Sequence, residues 1–155
     1  MREIQFRGMS INGEWHFGLL AVLKHNYMKI EKGHYISNSM GLPFAYQVRP
    51  ETVCLYSGLE DKNGKRIFAG DILRHYSDAR MYLPDGSGGW SLQGDPRVEE
   101  RAAVEWSEEY GRLEVWGQEL WIYAERSEII GNIWDNQNLL EGRESIPKED
   151  TKDDI

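Results

Sequence analysis

His16, His25 and His34 recur every nine residues, a spacing that raises the question of a metal site. An odd spacing points neighbours to opposite faces of one strand, and on a helix nine steps land about half a turn apart. No Cys or Asp/Glu set completes a zinc sphere around them, so no metal is expected. The stretch Asp61 to Ile72, "DKNGKRIFAGDI", begins like a calcium loop. Such a loop needs a glycine at its sixth position and a bidentate glutamate at its twelfth. Here Gly64 stands fourth and Ile72 twelfth, while Asp, Asn and Gly are also the residues of tight turns. Gly86, Gly88 and Gly89 in "DGSGGW" are followed neither by the Gly-Lys-Ser/Thr of a phosphate loop nor by a βαβ unit. Cys54 sits in a β-rich apolar segment, where a free thiol behaves as a small buried hydrophobe. Glu99-Glu100 and Glu108-Glu109 are adjacent pairs, whose side chains diverge on a strand and do not share a proton. No catalytic set and no cofactor site is expected.

The residues with a plausible binding role are aromatic. Tyr82 and Trp90 lie in the polar, glycine-rich stretch from Ser77 to Arg97, where an exposed ring is a natural anchor for a partner. The alternative is that both fold back and cap the core. Trp106, Trp116, Trp121 and Trp134 fall in strand-like segments and are expected in the core or at its rim. Lys62, Lys65, Arg66 and Arg74 gather around the central turn with Asp61, Asp71 and Asp78. That mixture fits a solvated surface, with a basic strip at Lys65, Arg66 and Arg74 as the place where nucleic acid would bind.

Composition narrows the classes. A chain of 155 residues has room for one ordinary domain, or a small barrel with an elaboration. Its net charge of −8 argues against a dedicated nucleic-acid binder. The segment after Leu140 carries −3 of this, leaving −5 on the body. One cysteine excludes an internal disulfide and points to the cytoplasm. The start "MREIQFRGMS" lacks the apolar core of a signal peptide, and "GLLAVL" is too short to cross a bilayer.

The elements that must position these residues are short strands. Ile4 and Phe6 alternate with Glu3, Gln5 and Arg7. Asn12-Gly13 turns the chain into "EWHFGLLAVL", read as one strand, and Lys32-Gly33 turns it again. "SNSMGLPFAYQVRP" reads as an irregular crossing, and "TVCLYSGL" as a strand leading to the Asn63-Gly64 turn. Past it, Ile67 should point inward, Phe68 to the opposite surface, Gly70 should bend the chain, and Asp71 should accept backbone N–H bonds. Residues 77–97 are rich in Gly, Pro and Asp and read as a long mobile loop or loosely formed hairpin. "AAVEWSEEYGRLEVW" turns near Tyr110-Gly111, "ELWIYAERSEIIGNIW" adds one or two strands, and "DNQNLLE" closes with a helical turn capped by Asp135.

Three blocks in order, "REIQFRG", "LYSGLEDKNGKRIFAGDIL" and "EIIGNIWDNQNLLE", together resemble the YopX family encoded by bacteriophages and prophages. The resemblance implies a mainly β protein with an SH3-like barrel in its later part, and it brings no catalytic residues with it. The expected division is an N-terminal β elaboration (1–50) packed on the barrel (51–141), followed by a disordered acidic tail (142–155). Arg74-His75, the long aromatic stretch 77–97 and the acidic end depart from the family pattern. The expected function is a phage or prophage accessory protein of the bacterial cytoplasm that binds another protein. The alternatives are nucleic acid at the basic strip and, lowest, an enzyme.

Overall fold

A computed structural model describes residues 3–141. The expected acidic tail, 142–155, lies outside the described residues. The fold is mainly β and is assembled from small antiparallel sheets. Strands β1 (Phe6–Met9) and β2 (Trp15–Gly18) form the first hairpin across Asn12-Gly13, with Phe6 opposite Gly18. The run expected to be one strand is broken at Leu19, whose N–H donates to Ser37 Oγ at 2.9 Å and whose carbonyl accepts from Ser37 N–H. After that break β3 (Leu20–Leu23) joins a different sheet with β4 (Gly33–Ile36) and β5 (Tyr46–Val48). The crossing from 37 to 50 therefore contains a strand that its irregular composition concealed.

The centre follows the sequence closely. Strand β6 (Cys54–Glu60) pairs with β1, and turns at Asn63-Gly64 into β7 (Arg66–Phe68). Gly64 adopts φ +79°, as such a turn requires. Alternation along β7 sends Ile67 into one apolar cluster, with Leu73, Val104, Val115, Leu120 and Ala124. It sends Phe68 into a second, with Cys54 and Tyr56, closed by Ala69 and Trp134.

Gly70 then bends the chain at φ +87°, and a Cβ there would stand 2.4 Å from the Trp134 ring. Asp71 receives the Phe68 N–H at 2.8 Å, as expected of the corner. It also receives Arg7 Nη1 at 2.7 Å, a partner 64 positions away. The Arg7 guanidinium is buried over the Trp15 and Phe68 rings and donates to the Ala69 carbonyl. Burial raises the Asp71 carboxyl above the ordinary range, with Arg7 and the Phe68 N–H opposing but not cancelling it.

Asp61 is a second buried hub. One carboxylate oxygen accepts the Asn63 and Lys65 N–H groups and the other accepts Ile129 N–H, each at 2.9–3.0 Å. That carboxylate ties the hairpin turn to the last strand.

Strand β8 (Asp71–Ser77) is the centre of a third sheet. The remaining strands are β9 (Met81–Pro84), β10 (Trp90–Gln93), β11 (Val98–Ala103), β12 (Glu105–Ser107), β13 (Arg112–Val115), β14 (Gln118–Glu119) and β15 (Glu128–Asn132). Strands β11 and β15 flank β8, while β12, β13 and β14 form a separate sheet. Among the described residues these sheets do not close into a barrel. The segment "ELWIYAER" differs from expectation, forming α1 (Leu120–Tyr123) and a 3-10 turn at Ala124–Arg126. Leu120 and Ala124, four apart, are both buried, a helical spacing too short to stand out as a periodic stripe. The closing helical turn spans 138–141. Asp135 stands three positions before it and does not cap it, its carboxylate accepting instead the Trp15 indole N–H at 2.9 Å and the Asn132 side-chain amide.

Candidate partner-binding arm

The stretch read as a long loop or loosely formed hairpin is a hairpin, the outer half of a long β-ribbon. Strands β8 and β11 pair from Ile72–Ala103 out to Ser77–Val98. The third strand, β15, accompanies β8 only from Asp71 to Arg74. Beyond Arg74 the ribbon has two strands. It continues through the Ala79 N–H to Asp95 carbonyl bond at 3.0 Å into the β9–β10 pairing, Met81–Gln93 to Pro84–Trp90. Three residues on one side oppose four on the other between these ladders, the signature of a bulge. At about 3.3 Å per residue, the part beyond Arg74 reaches about 30 Å.

Local chemistry holds the arm in shape. Asp85 accepts the Ser87 hydroxyl and the Ser87 and Gly89 N–H groups, and so builds the tip. These bonds, the Ser87 hydroxyl foremost, hold its carboxyl below the usual range. At the bulge, the Arg80 guanidinium donates twice to Asp78, which lowers that carboxyl to about 2. Arg97 lies 4.0 Å over the Tyr76 ring. At the root His75 is buried, its Nε2 2.8 Å from Glu100 without hydrogen-bond alignment, and packed against the Trp116 and Tyr123 rings.

Tyr82 and Trp90 are both brought to this hairpin. Tyr82 stands opposite Leu92 and Trp90 opposite Pro84, so pleat alternation puts all four on one face. Tyr82 is 68% exposed and Trp90 67%. They do not fold back to cap the core. Met81 and Leu83 on the other face are exposed as well.

The other candidates are dispersed. His16 stacks on Tyr46, His25 lies in the β3–β4 loop, and His34 is opposite Val48 in β4. Among the described residues no group of three or more His, Cys, Asp or Glu could hold a metal ion. The Cys54 thiol is buried and donates to the Thr52 carbonyl, and burial pushes its pKa up. In the basic strip, Arg66 is engaged by Glu3 and Gln5, and Arg74 by Glu128 at 2.8 Å. Of that strip Lys65 alone has no carboxylate within ion-pair distance among the described residues.

Sequence reading missed one apolar surface. Trp116 packs against the larger core cluster and Trp134 against the smaller, as expected. Trp106 and Trp121 are exposed and line a groove of about 740 Å³ with Leu55, Leu59 and Leu113. Their strand-like surroundings carried no signal of this, because the groove forms between β6 and the β12–β13–β14 sheet. Among the described residues no helix is long and apolar enough to cross a membrane.

No curated protein matches the chain. The family model described as YopX protein matches residues 5–141, nearly all of the described structure. The chain belongs to the YopX family.

Proposed function

We propose that this is a phage or prophage accessory protein of the bacterial cytoplasm, a non-catalytic module that binds another protein through the β9–β10 arm. Residues 51–141 are read as its SH3-like part, a class of module that recruits partners with loops and strand faces and has no deep cleft. The observation that carries this reading is the exposure of Tyr82 and Trp90 on one face of a two-stranded hairpin. Two-stranded ribbons are marginal in water on their own, so apolar rings there gain stability chiefly by being covered. Each such ring, already about one third covered, has about 100–170 Å² left to bury, which at about 25 cal/mol per Å² is worth about 2.5–4 kcal/mol per ring before ordering costs.

The test is affinity capture from host lysate with the wild-type chain and with the Tyr82→Ala/Trp90→Ala variant. A specific protein should be captured by the wild type and lost with the variant, whose melting temperature stays nearly unchanged. Amide exchange from Asp85 to Gly94 should be fast in the free protein and slow in the captured complex. A variant that melts much earlier would show that the rings support the core. Capture that survives the substitutions would move the interface elsewhere.

A further inference from the structure

Among the described residues, most of the arginines and lysines are committed to partners. Every described arginine meets a carboxylate, a carbonyl or an aromatic ring. Lys62 lies 3.9 Å from Glu128. The lysines whose side chains make no hydrogen bond or ion pair among the described residues are Lys24, Lys29, Lys32 and Lys65, and three of these four fall in the loop between β3 and β4. The segment "KHNYMKIEK", 24–32, holds those three against one acid, Glu31. Among the described residues of this acidic chain, most of the free positive charge is thus concentrated on one loop.

That loop has a defined shape. Tyr27 and Ile30 exchange backbone hydrogen bonds, each 2.9 Å, around a two-residue turn whose first residue, Met28, has φ +54°. Asn26 Oδ1 accepts the Lys32 N–H at 2.8 Å and closes the base. The turn holds Tyr27 61% exposed and Met28 85% exposed, with Lys24 before them and Lys29 after them in the sequence. A ring bracketed by point charges on a pre-shaped turn matches a strand of phosphates with accessible base faces.

We infer that the β3–β4 loop binds single-stranded nucleic acid, Lys24, Lys29 and Lys32 meeting phosphates while a base stacks on Tyr27. A duplex offers the lysines the same charge, but its bases are already stacked and leave the ring without a partner. The chain's overall negative charge opposes long approach, so the contact acts within a Debye length of about 8 Å at physiological salt. This surface is separate from the arm and does not depend on it.

The probe is fluorescence anisotropy of labelled 20-mer oligothymidylate with the full chain, at salt from 20 to 200 mM. Three phosphate contacts give a log–log salt slope of about −2. The Tyr27→Ala variant should weaken binding about tenfold and Tyr27→Phe should restore it. Replacing Lys24, Lys29 and Lys32 together by Gln should abolish the salt slope, with single Gln variants as a check if the triple does not fold. Lys65→Gln should change nothing. Absence of binding at 20 mM salt would overturn the inference, as would binding indifferent to the lysines. Equal weakening by Tyr27→Phe and Tyr27→Ala would rule out stacking, tighter binding of a duplex would rule out the single strand, and binding to anionic vesicles alone would assign the loop to a lipid surface.

Discussion

Removing the Asp71 carboxylate should cost far more than one turn hydrogen bond. In Asp71→Ala the Phe68 N–H loses its acceptor, a penalty of about 1–3 kcal/mol for a buried donor. The larger loss is to Arg7, only 6% exposed, which would keep one carbonyl partner at 3.2 Å and the faces of Trp15 and Phe68. An uncompensated buried charge costs about 3–5 kcal/mol. The two overlap, because both follow from one lost group, so the expected total is about 3–5 kcal/mol. Urea unfolding of Asp71→Ala, Asp71→Asn, Arg7→Met and the Arg7→Met/Asp71→Asn double variant separates them. Asp71→Asn keeps an acceptor for Phe68 and isolates the ion pair, and the double variant should be at least about 1.5 kcal/mol less damaged than the summed singles. Because the folded Asp71 pKa is raised, its contribution is complete below the unfolded carboxyl range and falls as pH rises through the folded value. Asp71→Asn should lack that decline. A cost below about 1 kcal/mol for Asp71→Ala, or strict additivity in the cycle, would refute the coupling between Arg7 and the corner.

Gly70→Ala combines a left-handed φ of +87° with a Cβ 2.4 Å from the Trp134 ring, and chemical denaturation should register a loss of at least about 2 kcal/mol. Asp61→Ala strips the acceptor from three backbone N–H groups; a loss of about 3 kcal/mol is expected, and an unchanged midpoint would mean these groups find water instead. Carboxyl NMR titration should place Asp78 at about 2, and Arg80→Gln should return it toward the ordinary range. With its folded pKa depressed, Asp78 supports the arm above its unfolded pKa and loses that support as pH falls through about 2, so amide exchange at Ala79 should accelerate only there.

Local chemistry made the central corner readable. Asn63-Gly64, the alternation of Ile67 and Phe68 and the Gly70 bend each follow from dihedral preference and a two-residue period, which neighbouring residues decide between themselves. The family was legible for the same reason, since its blocks are turns and strand starts with strict local requirements. The exposure of Tyr82 and Trp90 was one of two readings open to the sequence, since rings in a stretch so rich in glycine and proline can either stand out or fold back on the core, and the structure leaves them out. A hairpin was one of two readings open for this stretch, but its registry between 81–84 and 90–93 was not legible, since it rests on backbone bonds that side-chain composition does not display. The helical turn at 120–126 escaped because two turns are too few to show a period. Long-range electrostatics belonged to the tertiary structure alone. Arg7 and Asp71 are 64 residues apart, and Asp61 reaches 68 residues to Ile129. The same holds for which cations remain free: Arg66 and Arg74 resemble Lys24 and Lys29 as letters, and only folding brings Glu3 and Glu128 to the first pair and leaves the second in water. Charge in a sequence is a count, while charge on a surface depends on which partners the folded chain brings within a few ångströms.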